Sequence, residues 1–188
     1  MPEKYPSIHE GTRMKILVAG IGNIFYGDDA FGCEVARELK RVKLPENVTV
    51  TDFGIRSYDL AYALTNDFDA IILVDATTRG QAPGTVYLIE PDMNHLNELD
   101  RTSVDAHSMD PVAVIQMAQS LGGGVRGKLF LVGCEPAMVE NEDGALELSE
   151  KVKAAIPGAM AMIGELIREL TGGKTKSSGL APAVTKEV

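Results

Sequence analysis

The sequence predicts an α/β protein: a three-layer α/β/α sandwich around a mostly parallel sheet. Three observations point there. KILVAG at 15–20, DAIILVDA at 69–76 and KLFLVGC at 128–134 are near-continuous apolar runs, as in strands buried on both faces. Segments with apolar residues at helical spacing alternate with them. Gly, Pro and Asn clusters separate the two kinds of segment. The length of 188 residues fits one domain, and 45% hydrophobic composition supplies a core for it.

The elements follow in order. Residues 1–13 form a polar N-terminal extension without the apolar stretch of a signal peptide, and folding is expected from Met14. After the first strand and a loop, Phe31, Val35, Leu39 and Val42 mark a helix over about 29–43. VTVTDF at 48–53 is β-branched and reads as strand two. Residues 58–65 read as a short helix, 69–76 as strand three and TVYLIE at 85–90 as strand four. Only TTRGQAPG joins strands three and four. A parallel crossover needs about a dozen residues or more, so strand four is expected to be antiparallel.

Asp110-Pro111 opens the next helix as N-cap and first helical residue, with Val114, Met117, Ala118 and Leu121 on its apolar face and Gly122–Gly124 ending it. KLFLVGC is strand five. The last helix runs over about 149–170, with a stripe of Ile156, Met160, Ile163, Ile167 and Leu170 that Pro157 should kink or divide. The domain is thus expected over 14–170. Residues 171–188 read as a disordered tail.

Composition narrows the function. A net charge of −9 argues against a nucleic-acid partner, which Lys and Arg would have to hold. No apolar run approaches the ~18 residues of a membrane span. Two cysteines make neither a disulfide scaffold nor a Cys-rich zinc site. A soluble cytoplasmic protein is expected, with monomer as the default because no heptad argues for a dimer.

Ligands of open α/β sheets collect at the carboxyl ends of the strands. GIGNIFYGDD lies there after strand one, FGIRSYD after strand two, Asp75 at the end of strand three and Cys134-Glu135-Pro136 after strand five. The Gly20-x-Gly22 pair makes a poor dinucleotide fingerprint. Phe25 stands where a third small residue belongs, and Asp28 and Asp29 would repel a pyrophosphate. The same carboxylates suit a cation. Asp29 and Asp75 with the imidazole of His107 compose a three-ligand site for a divalent transition metal.

Plainer readings stand beside these. Asp28 or Asp29 caps the following helix; Asp75 caps the TTRG turn; His107 is a loop residue; Asn23 fills a left-handed turn position. Met160, Met162 and Cys33 read as core. Cys134 lies at the edge, but without a neighbouring His it ranks low as a nucleophile.

Taken together, four segments resemble the endopeptidases that mature nickel–iron hydrogenases. KILVAGIGNIFYGDDAFG is similar to the family's opening strand and Gly-x-Gly-Asn…Asp-Asp/Glu-x-x-Gly motif. IILVDATTRGQAPGTVYLIEPD, DAHSMDP and KLFLVGCEP resemble its later signatures, in order and at matching spacing. The resemblance spans about 14–170 and extends to Pro157 in the final helix. It implies a phosphorylase/hydrolase-like fold with strand order 2-1-3-5-4. It implies removal of a C-terminal extension from a hydrogenase large-subunit precursor after nickel insertion. It also implies that Asp29, Asp75 and His107 are the catalytic, metal-contacting cluster. Nickel would then arrive with the precursor, and no tightly bound cofactor is expected in the isolated protein.

Asn23, Asp28, Asp52, Gly54, Arg56 and Glu135 are the candidates for substrate contact, with Asp28 or Glu135 as a possible general base. Many relatives carry Asp-Gly-Gly-Thr where this chain has Asp52-Phe53-Gly54-Ile55-Arg56. Two readings of Arg56 follow: a partner-selecting residue for a different hydrogenase class, or half of a salt bridge at the same edge. Two alternative functions use the same residues, a stand-alone metallopeptidase or amidase and a non-catalytic hydrogenase assembly chaperone.

Overall fold

A computed structural model describes residues 14–91, 111–137, 147–172 and 184–185. Its elements are β1 (Ile16–Ile21), α1 (Phe31–Leu39), β2 (Val48–Gly54), α2 (Ser57–Leu64), β3 (Ala70–Ala76), β4 (Val86–Ile89), α3 (Pro111–Ser120), β5 (Lys128–Cys134), α4 (Glu150–Leu170) and β6 (Val184–Thr185). The sheet order is β2-β1-β3-β5-β4-β6. β1, β2, β3 and β5 are mutually parallel. β4 is antiparallel to β5, with Val86 opposite Cys134, as its short connector requires.

Strand alternation sorts the core into two layers. Ile16, Val18, Ile72, Val74, Phe130 and Val132 face α1 and α4. Leu17, Ala19, Ile71, Leu73 and Leu129 face α2 and α3. β1 and β3 are covered on both sides, which is why they read as unbroken apolar runs.

Two glycines set the closeness of α1 to the sheet. A Cβ on Gly32 would lie 2.0 Å from the carbonyl oxygen of Val74 and 2.3 Å from that of Ile21. One on Gly20 would lie 2.3 Å from the carbonyl oxygen of Gly32. Gly20 therefore serves helix–strand packing.

Several expectations need correction. α1 ends at Leu39, preceded by a 3₁₀ turn at Gly27–Ala30. Val42 and Leu121 lie beyond their helix ends and are 47% and 43% exposed. The buried stripe of α4 runs through Val152, Ala155, Ala159, Ile163, Leu166 and Ile167; of the expected stripe Ile163 and Ile167 belong to it, while Ile156, Met160 and Leu170 are partly buried at its margin. Pro157 does not divide α4. It sits on the exposed side of the helix. The tail expected to be wholly disordered contributes β6, paired parallel to β4. β4 would otherwise be a sheet edge with open backbone groups.

Candidate active site

The loop after β1 is built around Asp29. Its Oδ2 accepts from Asn23 N–H at 2.6 Å, and Asn23 Oδ1 accepts from Phe25 N–H at 3.0 Å. Gly22 has φ +133, and a Cβ there would lie 1.8 Å from the Asp29 carbonyl oxygen. The left-handed position thus belongs to Gly22, and no described non-glycine residue, Asn23 included, has positive φ. Burial pushes the Asp29 carboxyl above its ordinary pKa, opposed by the Asn23 N–H. Neither Asp28 nor Asp29 caps the 3₁₀ turn or α1 with its side chain.

Asp75 closes β3 and is 5% exposed. It continues the row of Ile71 and Leu73, so it lies on the α2–α3 face of the sheet. The turn carrying Asp29 packs against β3. Gly32, three residues after Asp29, presses on the carbonyl of Val74 just before Asp75. Both acids therefore come to the carboxyl end of the central strand pair. His107 lies outside the described residues, as does Asp110. Among the described residues no group of three His, Cys, Asp or Glu side chains could hold a metal.

Asp28 and Glu135 prove to be staples. Both are 3% exposed. Asp28 Oδ2 accepts from Ala137 N–H at 2.8 Å and the Ser149 hydroxyl at 3.0 Å, and its Oδ1 accepts from Ser149 N–H at 2.6 Å. It ties both ends of the β5–α4 connection to the turn that carries Asp29. Ser149 also caps α4, accepting from Val152 N–H at 3.4 Å. Glu135 accepts from Arg79 N–H at 2.8 Å and Gly80 N–H at 3.1 Å, holding the β3–β4 connector. Both were expected as substrate contacts or a general base; in the folded chain their carboxylates hold loops together. Their oxygens are committed to backbone amides, because buried N–H groups must find acceptors.

The other contact candidates do meet. Asn23, Asp52, Gly54 and Arg56 line one cleft of about 300 Å³ at the ends of β1 and β2. Asp52 Oδ1 accepts from Gly54 N–H at 3.0 Å. Arg56 donates to the carbonyls of Phe53 and Asp52, and its guanidinium lies 3.5 Å from Asp59. It secures the end of β2, and the exposed ion pair contributes little. Phe25, Tyr26, Ile55 and Tyr58 stand more than half exposed on these same segments.

Both cysteines are fully buried, and burial holds each thiol near a pKa of about 12. Neither is poised as a nucleophile at neutral pH. Met160 and Met162 pack against the core as expected.

Comparison with known proteins identifies the family. A family model described as HycI, hydrogenase maturation protease, matches residues 33–166. A Methanocaldococcus jannaschii protein named for the same family is 35% identical over 149 residues, 79% of this chain and 93% of its own. The hydrogenase 2 maturation protease of Escherichia coli is 30% identical over 158 residues, covering 83% of this chain and 92% of the relative. The structure of an E. coli hydrogenase-maturating endopeptidase superposes with a TM-score of 0.69 at 28% identity, covering 83% of this chain and 93% of that one. The chain belongs to the hydrogenase maturation protease family and is an endopeptidase.

Proposed function

We propose that this endopeptidase removes the C-terminal extension of a nickel–iron hydrogenase large-subunit precursor, and that nickel held by the precursor is its recognition element. The observation that carries this is the convergence of Asp29 and Asp75 at one sheet edge. His107, which lies outside the described residues, would complete the cluster. α3 precedes β5, which is parallel to β3, so Pro111 starts at the carboxyl edge on the face of Asp75. His107 is four residues upstream of Pro111, a reach of at most about 14 Å.

Two carboxylates and an imidazole complete the coordination of a divalent metal that already holds substrate ligands. The substrate's nickel then polarises the scissile carbonyl or activates water beside it. Asn23, Asp52, Gly54 and Arg56 contact the polypeptide in the adjoining cleft, and the exposed Phe25, Tyr26, Ile55 and Tyr58 give that surface an apolar rim suited to a protein partner. No described helix is long and apolar enough to cross a membrane. We place the enzyme in the cytoplasm as a monomer.

The test incubates purified protein with nickel-loaded and nickel-free precursor and follows loss of the extension by mass. Cleavage of the loaded form alone is expected; equal cleavage of both sinks the nickel reading. Asp75→Asn and His107→Ala should fold but not process. Normal processing by both removes them from the mechanism.

A further inference from the structure

Among the described residues, one buried side-chain oxygen or nitrogen finds no hydrogen-bond partner: Thr77 Oγ1. The backbone of Thr77 is fully used. Its N–H donates to the Cys134 carbonyl at 3.0 Å, continuing the β3–β5 ladder, and its carbonyl accepts from the Tyr87 hydroxyl. Only the side-chain hydroxyl is idle. An unsatisfied buried hydroxyl costs stability, so a Val of similar shape would suit a purely structural position better.

Its place suggests what the hydroxyl is for. Ile71, Leu73 and Asp75 form one row on the α2–α3 face; Thr77 follows Asp75 by two residues, just past the end of β3 at Ala76, and its N–H extends the ladder to Cys134. Two residues of strand span about 6.6 Å, within which a hydroxyl and a carboxylate can meet once the carboxylate turns. Asp75 is itself partnered in the free enzyme, so a change of partner at Asp75 is what would bring the two together. Carboxylates that ligate metals are themselves held by outer hydrogen-bond donors, which fix their orientation.

We infer that Thr77 is a positioning residue for precursor processing: its hydroxyl donates to the Asp75 carboxylate when that group engages the substrate's metal. The inference rests on the proposed role of Asp75. It predicts that removing the hydroxyl moves stability and activity in different directions, which a structural hydrogen bond would not do.

The experiment compares wild type, Thr77→Val and Thr77→Ser as full-length proteins. Thermal unfolding is measured alongside kcat and KM on nickel-loaded precursor. For Thr77→Val the melting temperature should stay or rise, while kcat falls about tenfold or more at similar KM. Thr77→Ser should restore kcat to within about threefold, since it retains the donor. A clear drop in the melting temperature of Thr77→Val, or a wild-type kcat, overturns the inference. Wild type on nickel-free precursor is run in parallel. Equal cleavage there defeats the nickel reading, whereas a discriminating wild type beside a fully active Thr77→Val defeats the role of Thr77 alone.

Discussion

Asp28→Asn tests the staple at the site's base. The native carboxylate accepts three hydrogen bonds, two at Oδ2 and one at Oδ1. An amide accepts at one end only. With its oxygen in the Oδ2 position, Asn keeps Ala137 N–H and the Ser149 hydroxyl but turns an NH₂ toward Ser149 N–H. The variant loses a charge-assisted bond, worth about 1.5–3 kcal/mol, and leaves a buried donor unpaired. It also weakens the two bonds it retains by removing the charge. We expect a loss of about 3 kcal/mol, a large part of the ~5–15 kcal/mol that holds a domain together. That corresponds to a melting temperature lower by about 6–12 °C. Urea unfolding at neutral pH measures it through the midpoint and slope. A loss below about 1 kcal/mol would refute the assignment of Asp28 as a staple, and wild-type stability with lost processing would return it to the catalytic candidates.

Other expectations follow from the same geometry. Glu135→Gln should cost less, about 1–2 kcal/mol, because among the described residues two amides donate to that carboxylate; denaturant unfolding reads it. Gly32→Ala drives a methyl into two backbone carbonyls that cannot yield, so it should cost about 3 kcal/mol or leave no soluble protein; expression and melting temperature check this. Asp29→Asn keeps an acceptor for Asn23 N–H and removes a charge that burial disfavours. Its melting temperature at neutral pH should equal or exceed wild type while processing of nickel-loaded precursor is lost. The thiols of Cys33 and Cys134 have folded pKa values of about 12 against an ordinary 9.0. They leave stability unchanged below about pH 8, and stability falls as pH rises from about 9 toward 12, where unfolded thiols ionise and folded ones do not. Unfolding from pH 7 to 11 with a Cys33→Ala, Cys134→Ala control tests this, and native protein should resist thiol reagents at pH 7.

The sequence by itself determined the parts that depend on neighbours along the chain. β1, β3 and β5 were legible because burial on both faces demands unbroken apolar runs, and the antiparallel β4 because an eight-residue connector, 77–84, cannot cross over. Asp29 and Asp75 were legible as edge residues because strand ends are local features. What separates Asp29 from Asp28 was not. They are adjacent in sequence, yet Asp28 points its carboxylate to partners 109 and 121 positions away, while Asp29 turns back on its own loop.

Glu135 is the same case, since its partners lie 55 and 56 residues upstream. The idle hydroxyl of Thr77 was equally invisible, because a missing partner can be recognised only when every neighbour is in place. The tertiary structure alone decided which backbone amides each of these acids holds. Hydrogen bonding in a core is settled between segments that the fold, not the chain order, makes neighbours.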